Sequence, residues 1–239
     1  MVKEKVLTCQ KIKFALLLAL ISITVITCIH IPVWMKWKDL LLQHLGTLLL
    51  VIVLFYDTIK NRMSLFAFVG ITLFAIIHVV GARYGYSYVP YREWSVERLG
   101  FSRDFWGVPA NYTGDLTAFF DEQQRKHNLD FRNHYDRLVH FSFGLLMFLC
   151  LLHVSRKWVD RKPLVAILMA WLLVQTGSMI YEVFEWQIAV HFSPKTAETY
   201  NGQQGDVWDA QKDMALAMIG STIMAICYAI KNVRENRCR

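Results

Sequence analysis

Asp136 and His140 stand four residues apart in RNHYDRLVHFSFG (Arg132–Gly144), so a helix there puts a carboxyl and an imidazole on one face. Glu182 and Glu185 are three apart in SMIYEVFEWQ and share a face in the same way. In GDVWDAQKD, Asp209 and Asp213 are four apart and Asp206 comes three before Asp209, which lines three carboxylates along one side of a helix. Like charges at such spacing repel unless a cation, an arginine or a shared proton relieves them. Carboxylate oxygens with an imidazole make a donor set for a divalent metal (Zn, Mn or Mg), and histidine favours Mn, Fe or Zn over Mg or Ca. The candidate ligands are Asp136, His140, Glu182, Glu185, Asp209 and Asp213, and the candidate general bases are His78 and Glu185. Arg83, Arg132, Arg137 and Lys212 are the basic side chains available to compensate the acids instead.

Each position also has a plain structural reading. Asp136 is placed to cap a helix, and Asp213 to sit in a first turn where the helix dipole favours an acid. His30, His44, His153 and His191 read as interfacial histidines, and Tyr84, Tyr86, Trp94 and Trp208 as interfacial aromatics. The paired glutamates resist that treatment, because two carboxylates at the end of an apolar span are costly without a purpose.

The elements that must position these groups are apolar. Of the 239 residues, 55% are hydrophobic and only 19% charged, too apolar for a soluble domain of this length. Six apolar runs, about 12–30, 40–56, 64–81, 138–154, 163–190 and 213–230, approach the roughly 20 residues that span a bilayer. The expected fold is therefore all-α: a single polytopic membrane domain over residues 1–239, with about six transmembrane helices and a long outer loop, 82–137. In the second run Gln43, His44 and Gly46 interrupt the start. KEKVLTCQKIK followed by FALLLALISITVITCI has the regions of a signal peptide but no A-x-A site, and is read as a retained first helix. Within the loop, DLTAFFDEQQRKH reads as a short amphipathic helix capped by Thr113 or Asp115, suited to lie on the membrane surface or cover the bundle as a lid.

The net charge of +7 sits in short connections rather than on an aromatic-interleaved surface, so it indicates membrane topology and not nucleic acid. With the amino terminus inside, the short cytoplasmic pieces carry 14 Lys and Arg against 12 outside, 8 of the latter in the long loop where length weakens the rule. Both termini are expected in the cytoplasm. On that topology His78 lies about 21 Å and Glu182 about 27 Å along helices that start inside, while Asp136, His140 and Asp213 begin helices that start outside. The eight polar groups, Asp206 included, should converge on one outer layer. The five scattered cysteines, without C-x-x-C, indicate neither a disulfide framework nor a thiolate metal site.

Four stretches carry a family resemblance: H-x-x-G-x-x-Y-x-Y-x-x-x-P (His78–Pro90), N-H-Y-D-R-L-V-H-F-x-F-G (Asn133–Gly144), Y-E-x-x-E-W (Tyr181–Trp186) and G-x-Q-G-D-V-W-D-A-Q-K-D-M (Gly202–Met214). Together they resemble the bacterial inner-membrane YjdF family, a domain family of unknown function. More distantly, Asp-x-x-x-His-Phe followed by membrane glutamates and paired aspartates looks like the VanZ family, although Glu185-Trp186 departs from that family's Glu and Gln pair. The resemblance implies a bacterial plasma membrane and a six-helix fold, and supplies no reaction.

Three functions fit these features. The first is a metal-dependent enzyme acting at the outer leaflet on a lipid or lipid-linked head group. The second is a proton- or cation-coupled transporter, and the third a non-catalytic protein that binds a lipid or a partner. No H-E-x-x-H, G-x-S-x-G or P-loop is present. Membrane lipids are the expected partners, and the pattern says nothing of oligomeric state.

Overall fold

The computed structural model describes residues 2–29, 37–126, 131–158, 162–191 and 203–237. His30, Gly202 and Cys238, each used in the sequence reading, lie outside them. Helices run as α1 (Val2–Ile29), α2 (Trp37–Gln43), α3 (Leu45–Lys60), α4 (Leu65–Arg83), α5 (Tyr91–Leu99), α6 (Leu116–Arg125), α7 (Tyr135–Ser142), α8 (Phe148–Trp158), α9 (Pro163–His191) and α10 (Asp209–Arg237). A π-helical segment, Phe143–Met147, joins α7 to α8. Among the described residues there is no strand, and five spans are long and apolar enough to cross a membrane, or six if the bent pair α2 and α3 counts as one. The all-α polytopic expectation is borne out.

The surface is that of a protein in lipid. Ile12, Phe14, Leu18, Leu48, Leu168, Ile180 and Ile223 are exposed along helices whose backbone bonds are satisfied internally, as hydrocarbon requires. Burial is reserved for helix contacts. α4 is the central element: its Phe68, Ile71, Ala75 and Val79 are fully buried against Leu17 and Leu20 of α1 and Leu54 of α3. A second core joins Phe148 and Leu152 of α8 to Ala166, Ala170 and Val174 of α9. Polar bonds hold α9 to α10, from Trp171 Nε1 to Thr222 Oγ1 (2.9 Å) and from Gln175 Nε2 to Ser221 Oγ (2.9 Å). Where the π segment crosses α10, the backbones approach so closely that a Cβ on Gly144 would run into the Ala217 carbonyl, and one on Gly220 into the Phe141 carbonyl.

At the end of the bundle away from the acidic cluster, Lys13 of α1 is fully buried and donates to Asp57 Oδ2 (2.6 Å), Asn61 Oδ1 (2.8 Å) and the Met63 carbonyl (2.7 Å). Asp57 Oδ1 in turn accepts from the amides of Arg62 (2.9 Å) and Met63 (2.8 Å). Asn61, in the left-handed region at φ 46°, ends α3.

Several boundaries differ from the sequence expectation. The run 40–56 is broken: α2 and α3 meet at 44°, where the Gln43 carbonyl accepts from His78 Nε2 (3.2 Å) and His44 Nδ1 pairs with Thr47 Oγ1 (3.0 Å). α7 begins at Tyr135 with His134 at its cap, so Asp136 lies inside the first turn and is not the cap. α10 begins at Asp209, which moves Asp213 from the expected first turn into the second. The long connection between α4 and α7 contains α5, which the aromatic density of YREW did not suggest; Gly100 ends it at φ 73°. Asp115, not Thr113, caps α6 by accepting from the Ala118 amide (2.8 Å), and the apolar face of α6 packs with Val108 and Phe131 in a small core of the loop's own.

Candidate functional site

Asp136 and His140 project from successive turns of α7, Glu182 and Glu185 from α9, and Asp209 and Asp213 from α10. All six, with His78 of α4, are 9% exposed or less, so water does not relieve them. One donor atom from each of Asp136, His140 and Asp213 falls within 4.8 Å of the other two. His140 Nε2 stands 3.7 Å from Asp136 Oδ1 and 3.6 Å from Glu182 Oε1. Those separations exceed a hydrogen bond. They lie close to the roughly 3.4 Å between tetrahedral ligands that each sit about 2.1 Å from one ion. Glu182 Oε1 and Asp213 Oδ1 are buried with no hydrogen-bond partner among the described residues. Glu185 lies within electrostatic reach of Asp136, Glu182, Asp209 and Asp213.

Arginine meets part of the charge. Arg132, 2% exposed, donates to Asp209 Oδ1 and to the Gln203 carbonyl and lies 3.7 Å from Asp136. Arg137 and Lys212 both bind Asp206 Oδ2, the latter at 2.6 Å. Burial alone would raise the Asp206 carboxyl, but Lys212, the Trp208 amide and Arg137 outweigh it and hold it at about 2. Asp206 is thus a structural ion pair at the rim, and Asp209 Oδ1 is committed to Arg132. Of the four basic candidates, Arg132, Arg137 and Lys212 reach the acids; Arg83 instead donates to the Thr27 carbonyl (3.0 Å).

The long connection between α4 and α7 holds this arrangement in place. Arg92 of α5 donates to the carbonyls of Phe131 (2.7 Å) and Arg132, fixing the strand of chain that leads into α7. The Gln204 amide accepts from the Asn133 N–H (2.8 Å) and donates to the Asn133 carbonyl (3.0 Å), while Gln124 of α6 donates to Gln204 Oε1 (2.9 Å). The loop before α10, the start of α7 and α6 are therefore one hydrogen-bonded cap.

Beside the carboxylates lies a cavity of about 300 Å³ between α3, α4, α7, the π segment and α9, with His78, Tyr86, Asp136, His140 and Ser178 on its wall. His78 shares that wall with Asp136 and His140, but its two nitrogens are both engaged: Nε2 with the Gln43 carbonyl and Nδ1 with Tyr86 Oη at 2.6 Å. A carbonyl partner requires Nε2 to carry a proton, which leaves Nδ1 of the neutral ring to accept from the phenol. Tyr86, read from sequence as an interfacial aromatic, is 4% exposed and forms part of this pair. Its positive φ (55°) follows Gly85 in a turn that folds the chain back over α4, and no spacing rule connects it to His78. Ser178, buried at 2% with its hydroxyl unpartnered among the described residues, was also missed; its one sequence signal is its place one turn before Glu182.

Membrane-length apolar helices around a buried acid and histidine cluster define a polytopic α-helical membrane protein. The chain belongs to the family described as "Predicted membrane protein (DUF2238)", whose model matches residues 12–234. It is similar to the inner membrane protein YjdF of Escherichia coli (strain K12), 31% identical over 169 residues, a match that spans 70% of this chain and 66%, just under two thirds, of that protein. The resemblance to the YjdF family is borne out, and with it a multi-pass inner-membrane location. No solved structure matches the chain.

Proposed function

We propose that the protein is a metal-dependent membrane enzyme that acts at the outer leaflet on a lipid or lipid-linked head group, with both termini in the cytoplasm. The observation that carries the reading is the meeting of Asp136, His140 and Asp213 donor atoms within 4.8 Å, beside the unpartnered Glu182 Oε1 and Asp213 Oδ1. These four side chains would hold one divalent cation, Zn, Mn or Mg. When bound, such an ion supplies a Lewis acid for a phosphoryl or carbonyl oxygen and lowers the pKa of a coordinated water. Glu185, at the edge of the group, is the candidate general base. His78 acts through Tyr86, whose phenol it holds at the cavity wall. Arg132 keeps Asp209 from competing for the site.

The test is the metal content of detergent-purified protein by elemental mass spectrometry. About one divalent ion per chain is expected in the wild type. It should be lost in Asp213→Asn and His140→Ala and kept in Asp206→Asn, whose carboxylate is spent on Arg137 and Lys212. A wild type that takes up no Mn, Zn or Mg would overturn the metal reading and favour carboxylates that share protons, as in a proton-coupled carrier.

A further inference from the structure

The lining of the 300 Å³ cavity is of two unlike kinds. Its polar members are His78, Tyr86, Asp136, His140 and Ser178, and the Ser178 hydroxyl lacks a partner among the described residues. The rest of the lining is apolar and includes Leu49 of α3, which both lines the cavity and is 63% exposed. The cavity therefore opens sideways into the bilayer, next to α3. Two glycines keep it open: a Cβ on Gly46 would stand 3.2 Å from His78 Nε2, and one on Gly177 would stand 3.1 Å from the Phe143 ring. The π segment supplies Phe143 and Met147 to the same wall, and one-turn π insertions are found frequently at functional sites.

We infer that this cavity binds a single hydrocarbon chain of a membrane lipid, which enters laterally past Leu49 and brings its polar end to Ser178, Tyr86 and the Asp136–His140 group. The inference rests on the lipid-directed reading above and names its occupant. At the roughly 30 Å³ that a water occupies in the liquid, the volume takes about ten methylene-sized groups, a segment of one chain and not a whole two-chain lipid. A chain that moves from the bilayer into an apolar cavity gains little from solvent, because lipid tails are as apolar as leucine. Selectivity then falls to the polar end, where a bound head group would give the Ser178 hydroxyl its missing partner. Acyl and isoprenyl chains both meet this chemistry, and the experiment separates them.

Protein in nanodiscs would be irradiated with two photoreactive probes in turn, a diazirine-tagged fatty acyl phospholipid and a diazirine-tagged prenyl phosphate, and the labelled peptides mapped by mass spectrometry. Label is expected inside the cavity, on the peptide with Met147 or Gly177, from whichever probe carries the matching chain. Leu49→Trp, which blocks the opening at an exposed position, and Met147→Phe, which fills the cavity from the opposite wall, should each cut that label about tenfold. Ile52→Trp, at an exposed position of α3 outside the cavity lining, should leave it unchanged. Metal content measured on the same samples keeps the two readings apart: Leu49→Trp should retain the ion, and Asp213→Asn should lose the ion and still take label. Label confined to the outer surface of the bundle for both probes, or unaffected by Leu49→Trp and Met147→Phe, would overturn the inference whether or not an ion is found.

Discussion

Replacing Lys13 by methionine tests how much of the fold depends on one ion pair. Lys13 Nζ and Asp57 Oδ2 are 2.6 Å apart, with side chains 0% and 3% exposed. At an effective dielectric of about 20, opposite charges at that distance attract by about 6 kcal/mol. Desolvation of both groups offsets much of this, so the net worth of the intact pair is small. Loss of one partner is a different matter, because Lys13→Met leaves a buried carboxylate without its counter-charge, at a cost of about 3–5 kcal/mol. Asp57 would keep the Arg62 and Met63 amides on Oδ1 and lose its partner on Oδ2. For a chain of this length each kcal/mol is worth roughly 2–4 °C, so the midpoint of thermal unfolding in detergent, followed by tryptophan fluorescence, should fall by about 10 °C. The double variant Lys13→Met with Asp57→Asn removes the stranded charge and keeps an acceptor for both amides; it should recover more than half of the loss. A single variant within about 1 kcal/mol of wild type, or a double variant no better than the single, would refute the reasoning.

Two further outcomes follow from packing and charge elsewhere. Gly144→Ala places a methyl group against the Ala217 backbone carbonyl, which cannot rotate away, and should cost at least the 1–3 kcal/mol typical of overpacking; Gly100→Ala, with open space around it but φ at 73°, should cost only about 1 kcal/mol, and thermal unfolding of the two side by side gives the order. Burial pushes the Glu93 carboxyl on α5 above its ordinary range, with Asp121 and Glu97 adding to the effect and Arg92 opposing it. The folded protein then holds a proton that the unfolded chain releases, so this contribution to stability is full below the ordinary carboxylate range and is lost as pH rises through the raised value. Glu93→Gln should raise the unfolding midpoint at pH 7 and leave it unchanged near pH 4, as read by the same assay at the two pH values.

The spans were legible because lipid leaves the sequence little choice: a crossing helix must be apolar over its length, and five of the six runs correspond to single continuous spans. The second run, 40–56, bends at the Gln43–Gly46 interruption that the sequence shows, but the hydrogen bond from His78 to the Gln43 carbonyl at that bend joins residues 35 apart and was not legible. The acids and imidazoles could be grouped from spacing and depth, since Asp136 with His140 and Glu182 with Glu185 announce shared helix faces. Their division of labour was not legible. That Asp209 belongs to Arg132 and Asp206 to Arg137 and Lys212 depends on how α10 sits on α7, which no local pattern encodes. The Lys13–Asp57 pair is silent in sequence for the same reason, its members being 44 residues apart on different helices. Tyr86 and Ser178 escaped because a tyrosine at a membrane interface and a serine in an apolar span are both ordinary until a cavity is seen beside them.

The opening at Leu49 also determines which concentration matters to anything that enters there. A ligand that arrives through the bilayer is met at its level in the lipid phase, and each added methylene favours that phase by about 0.8 kcal/mol, close to a fourfold enrichment. Two compounds that fit the cavity equally well but differ by three methylenes would differ more than fiftyfold in the dose added to the water. Potencies compared per mole of lipid would agree; compared per litre of buffer, they would rank the compounds by greasiness and not by fit.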